Sequence, residues 1–238
     1  MEEKEFIEDF IRKASQLGIH ISEENAHLYY QYMELLLEWN EKMNLTAITE
    51  PHEIILKHFI DSITALPYIP DNSKVLDIGT GAGFPGIPLK ILNDNSYTLI
   101  DSLNKRIVFL QEVIKKLKLT NIELIHARAE EYARNKEKRE KFQVVIARAV
   151  ASLNILVEYM LPMLQIGGIA ICMKGSQIEE EIENAKNAIE ILGGRLEKVE
   201  QFELPESNIG RTIIVIKKIK STPNIYPRKA GIPTKKPL

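Results

Sequence analysis

Three glycines within five residues, Gly79, Gly81 and Gly83, follow the apolar run Val75-Leu76-Asp77-Ile78 and lead into Phe84-Pro85-Gly86. A strand that passes through such a turn into a helix lets a ligand approach bare backbone at the strand's carboxyl end, where open α/β sheets bind nucleotides. The next apolar run, Tyr97-Thr98-Leu99-Ile100, ends in Asp101, 18 residues beyond Gly83. That is near the ~20 expected of an acid that holds a ribose hydroxyl pair. An adenosine-type cofactor is implied. The pattern Gly79-x-Gly81-x-Gly83 is not the G-x-G-x-x-G dinucleotide fingerprint, and no Gly-Lys-Ser/Thr follows it. Asp77 lies two residues before the first glycine, where it could polarise the loop amides or hold a ligand's amino group through a water. In a dinucleotide site a pyrophosphate would sit beside that carboxylate, at the helix N-terminus. The acid suits a cationic sulfonium better, so S-adenosylmethionine is read ahead of NAD. A tight turn with no ligand is the bland alternative.

The ends of the later strands carry further candidates. In His126-Ala127-Arg128-Ala129-Glu130 the backbone of Ala129 and the side chain of Glu130 could read the edge of an adenine. Glu130 is also explicable as a helix-start acid favoured by the macrodipole. Asp101 has a competing role as the cap of the helix carrying Lys105 and Arg106. Ser102 can take that cap instead, and it joins the cofactor-binding set beside Asp101. At Ala147-Arg148-Ala149-Val150 the Asn/Asp-Pro-Pro-Tyr motif of many amino-methylating enzymes is missing. Arg148 stands in its place, a planar cation able to hydrogen-bond guanine O6 and N7 or to clamp a phosphate. Surface ion pairing is the alternative, weakened by the lack of an adjacent acid in the sequence. Cys172, within Ile169-Ala170-Ile171-Cys172-Met173, reads as a small core residue and not a thiolate nucleophile.

These groups need a frame to position them. Helical spacing dominates residues 1–70: Phe6, Phe10 and Ala14, then a helix capped by Ser22 and running to about Asn40, then one starting near Pro51 and stopping before Pro67. Strand patterns occur at 74–79, 97–101, 122–126, 142–147 and 167–173, separated by helical patterns, with Ser152 and Ser176 as caps for the fourth and fifth helices of this region. Such alternation means a parallel sheet of βαβ units. Gly193-Gly194 breaks it, and two consecutive strand runs at 195–204 and 211–219 allow a terminal antiparallel hairpin. The expected fold is α/β: a Rossmann-like, seven-stranded sheet of the S-adenosylmethionine-dependent methyltransferase type, with helices on both faces and an N-terminal helical extension. The divisions are 1–70 for the extension, 71–220 for the cofactor-binding domain and 221–238 for a basic, proline-containing tail.

Composition narrows the function classes. The chain has 238 residues, 45% hydrophobic and 27% charged, and a single cysteine, so neither an intramolecular disulfide nor a cysteine metal cluster is available. No metal is expected. The acidic start Met1-Glu2-Glu3 and the lack of a ~20-residue apolar run point to a cytoplasmic protein without a signal peptide or membrane helix. The net charge of −2 is unevenly spread: from Arg211 onward the chain has eight basic residues and no Asp or Glu. A basic end on an acidic body suggests contact with a polyanion, against the alternative of a solvated tail.

Taken with their flanks, these residues resemble the bacterial small-subunit ribosomal RNA guanine-N7 methyltransferase family, also called glucose-inhibited division protein B. The likeness runs through Glu38-Trp39-Asn40-Glu41-Lys42-Met43-Asn44-Leu45-Thr46, Lys57-His58-Phe59-Ile60-Asp61-Ser62 and the glycine loop with Phe84-Pro85. It continues through Asp101 to Arg106, Arg128-Ala129-Glu130, Arg148-Ala149-Val150 and Tyr226-Pro227-Arg228-Lys229-x-Gly231-x-Pro233. The resemblance implies that Gly79 and Phe84 line the methionine side of the cofactor, Asp101 the ribose, Ala129 and Glu130 the adenine, and that Arg148 borders the methyl-transfer site. The implied substrate is a guanine in a decoding-region loop of 16S ribosomal RNA, alone or in the small subunit, and the enzyme is expected to act as a monomer. Guanine N7 has an in-plane lone pair and no proton, so no general base is required and Arg148 would only position. Lys105, Arg106, Lys217, Lys218, Lys220, Arg228, Lys229, Lys235 and Lys236 could hold RNA phosphates. Trp39 reads as a core anchor. His58 and Asp61 face either the cofactor cleft or a structural bond to the sheet. The rivals are methylation of another RNA position or small molecule, and a non-catalytic ribosome assembly factor.

Overall fold

Apolar residues at helical spacing organise the N-terminal part of the computed structural model, which describes residues 1–238. Helices α1 (Glu3–Gln16) and α2 (Glu23–Met43) pack against each other, and Ser22 caps α2 by accepting from the Asn25 N–H. The third helix is not regular. It begins as α3 (Pro51–Ile54), widens into a π-helical turn over Ile55–Ile60 and closes as α4 (Asp61–Ile63). Phe6, Phe10, Tyr29, Tyr32 and Phe59 meet in one buried aromatic cluster that pins the three helices together. Removing the Phe59 ring would cost about 3–5 kcal/mol. Trp39 packs at a tilt on Phe109 and is a core anchor.

The sheet comprises β1 (Lys74–Ile78), β2 (Ser96–Asp101), β3 (Ile122–His126), β4 (Phe142–Arg148), β5 (Leu164–Lys174), β6 (Gly194–Glu203) and β7 (Gly210–Lys218), in the order β3-β2-β1-β4-β5-β7-β6. The first five strands are parallel, and β7 inserts antiparallel between β5 and β6. That is the expected mixed sheet with its terminal hairpin. Intervening helices are α5 (Gly86–Leu92), α6 (Asn104–Lys116), α7 (Ala129–Arg134), α8 (Leu153–Met160) and α9 (Glu179–Ile191), and α10 (Ile232–Lys235) ends the chain. The strand alternation divides the core: Val75, Val144 and Ile146 join the face covered by the N-terminal helices, while Leu76, Ile78 and Val145 join the face beneath α8 and α9.

Three local expectations fail. β5 begins at Leu164, three residues earlier than expected, pairing there with Phe142, and it passes Gly167 (left-handed φ of 85°) and a register shift before regaining its pairing with β4 at Ile169. Ser176 caps nothing, since α9 starts at Glu179 with Ile178 before it. Ser152 does precede α8, but its hydroxyl bonds Asn154, whose side chain takes the Ile155 N–H.

Candidate active site

The strand order reverses at β1, which has β2 on one side and β4 on the other, so a crevice opens beyond its carboxyl end. The glycine turn fills the start of that crevice. Gly79 and Thr80 both donate to the Ile100 carbonyl (2.9 and 3.1 Å), and the Gly81 N–H donates to Asp101 Oδ2 (2.9 Å). Asp77, fully buried, accepts at Oδ2 from the Thr80 hydroxyl (2.6 Å) and the Gly86 N–H (2.9 Å), whereas its Oδ1 has no partner. Burial pushes its pKa up to about 6 against those two bonds and the attraction of Arg148. An orphaned buried carboxylate oxygen under a glycine turn fits a ligand carrying an ammonium group. Gly79 (φ 66°) has Val150 directly above it, with a Cβ there falling 2.9 Å from Val150 Cγ2. Gly83 differs from its neighbours. A Cβ there would lie 2.5 Å from the Tyr32 hydroxyl and 2.8 Å from Ile87 and Leu110, so this glycine is packed against the N-terminal helices; like Asp77 and Gly81, it lies behind the residues that line the cleft described next.

A cleft of about 220 Å³ brings Gly79, Asp101, Ser102, Ala129 and Glu130 together as the sequence anticipated. Asp101 is 2% exposed. It holds Gly81 through Oδ2 and the Leu103 N–H through Oδ1 (2.9 Å), and it pairs with Arg106 (3.1 Å). Arg106 thus spends Nη1 on an ion pair at the cleft, with its side chain one-third exposed. Ser102 is not the cap of α6, whose N-cap is Leu103; it sits on the cleft wall with its carbonyl bonded to His126 Nε2. Sequence reasoning missed the opposite wall. Tyr159 on α8 and the tail residues Gly231 and Thr234 close the cleft, with the Gly231 N–H on Glu130 Oε1 (3.2 Å) and the Tyr159 hydroxyl 3.3 Å from that of Thr234.

Arg148 ends β4 with its side chain 13% exposed. Its Nη1 donates to the carbonyls of Lys57 (3.2 Å) and His58 (3.3 Å) and to Asp61 Oδ2 (3.2 Å). The first two acceptors belong to the π-helical turn, a feature that frees backbone groups and recurs at functional sites. An acid does face Arg148 after all. It comes from the third helix, 87 residues away, and it also accepts from Arg211 Nε at Oδ1 (3.0 Å). The Arg148 guanidinium lies 5.2 Å from the Phe84 ring centre, and His58 stacks on the same ring at 4.4 Å and 12°. Burial and Arg148 lower the His58 pKa to about 3, so the ring is neutral near pH 7, with Nε2 on the Thr46 hydroxyl (2.8 Å). Phe84, at 6% exposure, is a packing surface for these two groups. Cys172 is fully buried, its thiol pushed up to about 12.

The basic tail divides. Lys217 is half-buried, while Lys220, Lys229, Lys235, Lys236 and also Lys105 are exposed. Lys218 is not available to RNA: its buried ammonium donates to the Leu161 carbonyl (2.6 Å) and pairs with Glu140 (3.3 Å), and burial lowers its pKa to about 8. Arg228 is likewise occupied, forked onto the fully buried carboxylate of Glu158. No three His, Cys, Asp or Glu side chains are placed to hold a metal ion, and no helix is long and apolar enough to cross a membrane.

Known proteins resemble this chain over its whole length. The ribosomal RNA small subunit methyltransferase G of Desulforamulus reducens is 54% identical over 228 residues, covering 94% of this chain and 95% of that one. That of Alkaliphilus metalliredigens is 48% identical with both chains covered completely. Among solved structures, TYW2 from M. jannaschii in complex with AdoMet aligns with a TM-score of 0.54 at 22% identity over 68% of this chain and 76% of that one. TrmN from Thermus thermophilus aligns at 0.52 and 17% over 67% of this chain and 48% of that one. These two show a shared fold. Residues 25–210 match the family described as rRNA small subunit methyltransferase G, and the chain belongs to that family.

Proposed function

We propose that this chain transfers a methyl group from S-adenosylmethionine to N7 of a guanine in the decoding-region loop of 16S ribosomal RNA, acting as a cytoplasmic monomer. The observation that carries the reading is the state of the acids and bases beside the cleft. Asp61 is held by two arginines, His58 is neutral with Nε2 engaged, and Cys172 is a buried thiol. None of these three is poised to remove a proton, Asp101 at the cleft is occupied by Gly81, Leu103 and Arg106, and guanine N7 has no proton to remove.

S-adenosylmethionine supplies an electrophilic methyl carbon. Asp77 Oδ1 would take its ammonium group, the acidic edge of Asp101 its ribose, and Ala129 with Glu130 its adenine. Asp101 already accepts bonds from Gly81, Leu103 and Arg106, so its carboxylate is pre-oriented. Arg148 is fixed by three acceptors and a ring, which keeps its charge from swinging over the sulfonium. Catalysis then rests on alignment, for which effective molarities supply on the order of 7–11 kcal/mol. Exposed Lys105, Lys220, Lys229, Lys235 and Lys236 would hold phosphates.

The test is incubation with labelled S-adenosylmethionine and either unmethylated small subunits or naked 16S RNA, followed by mapping of the label. Methylation at guanine N7 is expected. A label on cytosine or adenine ends the guanine assignment, and cofactor binding without any label leaves an assembly factor.

A further inference from the structure

A second cavity, of about 340 Å³, opens beyond β4 and β5 on the far side of Arg148 from the cofactor cleft. The turn Arg148-Ala149-Val150 separates the two spaces: Val150 lines the cleft, Ala149 and Arg148 line the cavity. Ala149 holds a left-handed φ of 55°, a conformation costly for a residue with a Cβ and concentrated at functional sites. We propose that this cavity receives the target nucleotide, and that Arg211, held by Asp61, presents donors to an acceptor edge of its base. The inference rests on the RNA methyltransferase reading above.

Charge argues for such an occupant. Lys57 is paired with Glu53, and Lys174 with Glu181. Arg148 and Arg211 share the carboxylate of Asp61, the one acid that lines this part-buried space. Arg211 spends Nε on Asp61 and Nη1 on the Gly210 carbonyl, and its Nη2 has no protein partner. A planar donor set beside a methyl-donor cleft suits guanine, whose O6 accepts next to N7. Adenine offers a donor amine at that position, so the same arginine would disfavour it. Asp61 is then a positioning residue: by gripping both guanidiniums it ties the cavity wall to the turn that borders the cleft.

Two variants test this by single-turnover transfer from labelled S-adenosylmethionine to unmethylated 16S RNA, with S-adenosylhomocysteine affinity measured on the same preparations. Gly175 lines the cavity and lies outside the left-handed region, and a Cβ there would meet nothing within 4 Å. Gly175→Leu should therefore fold, bind S-adenosylhomocysteine as the wild type does, and transfer the methyl about a hundredfold more slowly. Arg211→Gln should slow transfer about tenfold. It should also erase discrimination against 2-aminopurine at the target position, a base that keeps N7 and lacks O6. A merely structural role for Arg211 would leave that discrimination intact. Wild-type labelling with an unimpaired Gly175→Leu variant overturns the cavity assignment, as does loss of S-adenosylhomocysteine affinity in either variant. Absence of labelling by the wild type overturns the RNA methyltransferase reading itself.

Discussion

Arg228 grips the fully buried carboxylate of Glu158 three ways, through its backbone N–H (2.8 Å), Nε (3.0 Å) and Nη2 (2.6 Å). The contact anchors the tail just ahead of Gly231 and Thr234, which wall the cleft proposed for the cofactor. Truncating one partner of a buried pair strands the other charge, so Arg228→Ala should destabilise the fold by about 3–5 kcal/mol. It should also weaken S-adenosylhomocysteine binding. Thermal melting and calorimetry check the two effects, and a variant that melts early yet binds normally would detach the tail from the cleft.

Two sets of lysines near the end of the chain should behave oppositely. Lys218→Met removes a buried ammonium from Leu161 and Glu140, and should lower the melting temperature without altering the salt dependence of RNA binding. Neutralising exposed Lys229, Lys235 and Lys236 together should leave melting unchanged and flatten the plot of log affinity against log salt by about 0.7–0.9 per lost phosphate contact. Filter binding across a salt series distinguishes them. An unchanged slope in the triple variant would mean that the tail does not touch RNA.

What the sequence disclosed, and what it hid, follows from how local each signal is. Gly79, Asp101, Ala129 and Glu130 all sit where an apolar strand ends, and a parallel sheet gathers such ends on one rim, so their convergence could be read in advance. Lys218 could have been read too: it follows Ile214 and Ile216 at strand period, on the inward face beneath α8 and α9. Asp61 and Arg211 could not, because 150 residues separate them and their meeting depends on where the third helix docks. The π-helical turn that offers carbonyls to Arg148 leaves no periodic trace, since Ile55, Phe59 and Ile63 fit a regular helix equally well. Gly83 differs for the opposite reason: it shares a pattern with Gly79, which lines the cleft, but answers to Tyr32.

Cofactor binding should depend on pH through Asp77. Its carboxyl titrates at about 6 in the folded protein against 3.8 ordinarily, raised by burial, with Thr80 and the Gly86 N–H bonded to one oxygen, Arg148 attracting and Asp101 repelling its charge. Between those values the folded state binds more protons than the unfolded state, so the free protein loses stability as pH rises through this window. An ammonium ligand favours the carboxylate, so S-adenosylhomocysteine affinity should rise from pH 5 toward pH 7, by at most about tenfold per unit, and then level off. Asp77→Asn should flatten both profiles. Calorimetry at pH 5, 6, 7 and 8 reads them, and an affinity that does not change below pH 6 would place the ammonium elsewhere.

The glycines of the turn should separate on substitution. Gly83 has a φ of 100°, and a Cβ would collide with Tyr32, Ile87 and Leu110 at 2.5–2.8 Å, all of them in the interior between the N-terminal helices and the sheet. Overpacking of that kind costs about 1–3 kcal/mol, and the left-handed backbone adds about 1–2 kcal/mol. Gly81 has a φ of 63° and meets only the Gly79 carbonyl at 4.0 Å, so Gly81→Ala carries the backbone cost of about 1–2 kcal/mol alone. Urea unfolding should therefore rank Gly83→Ala well below Gly81→Ala. Equal midpoints would show that the Tyr32 contact yields without cost, and that Gly83 is not the joint between the helical layer and the cofactor turn.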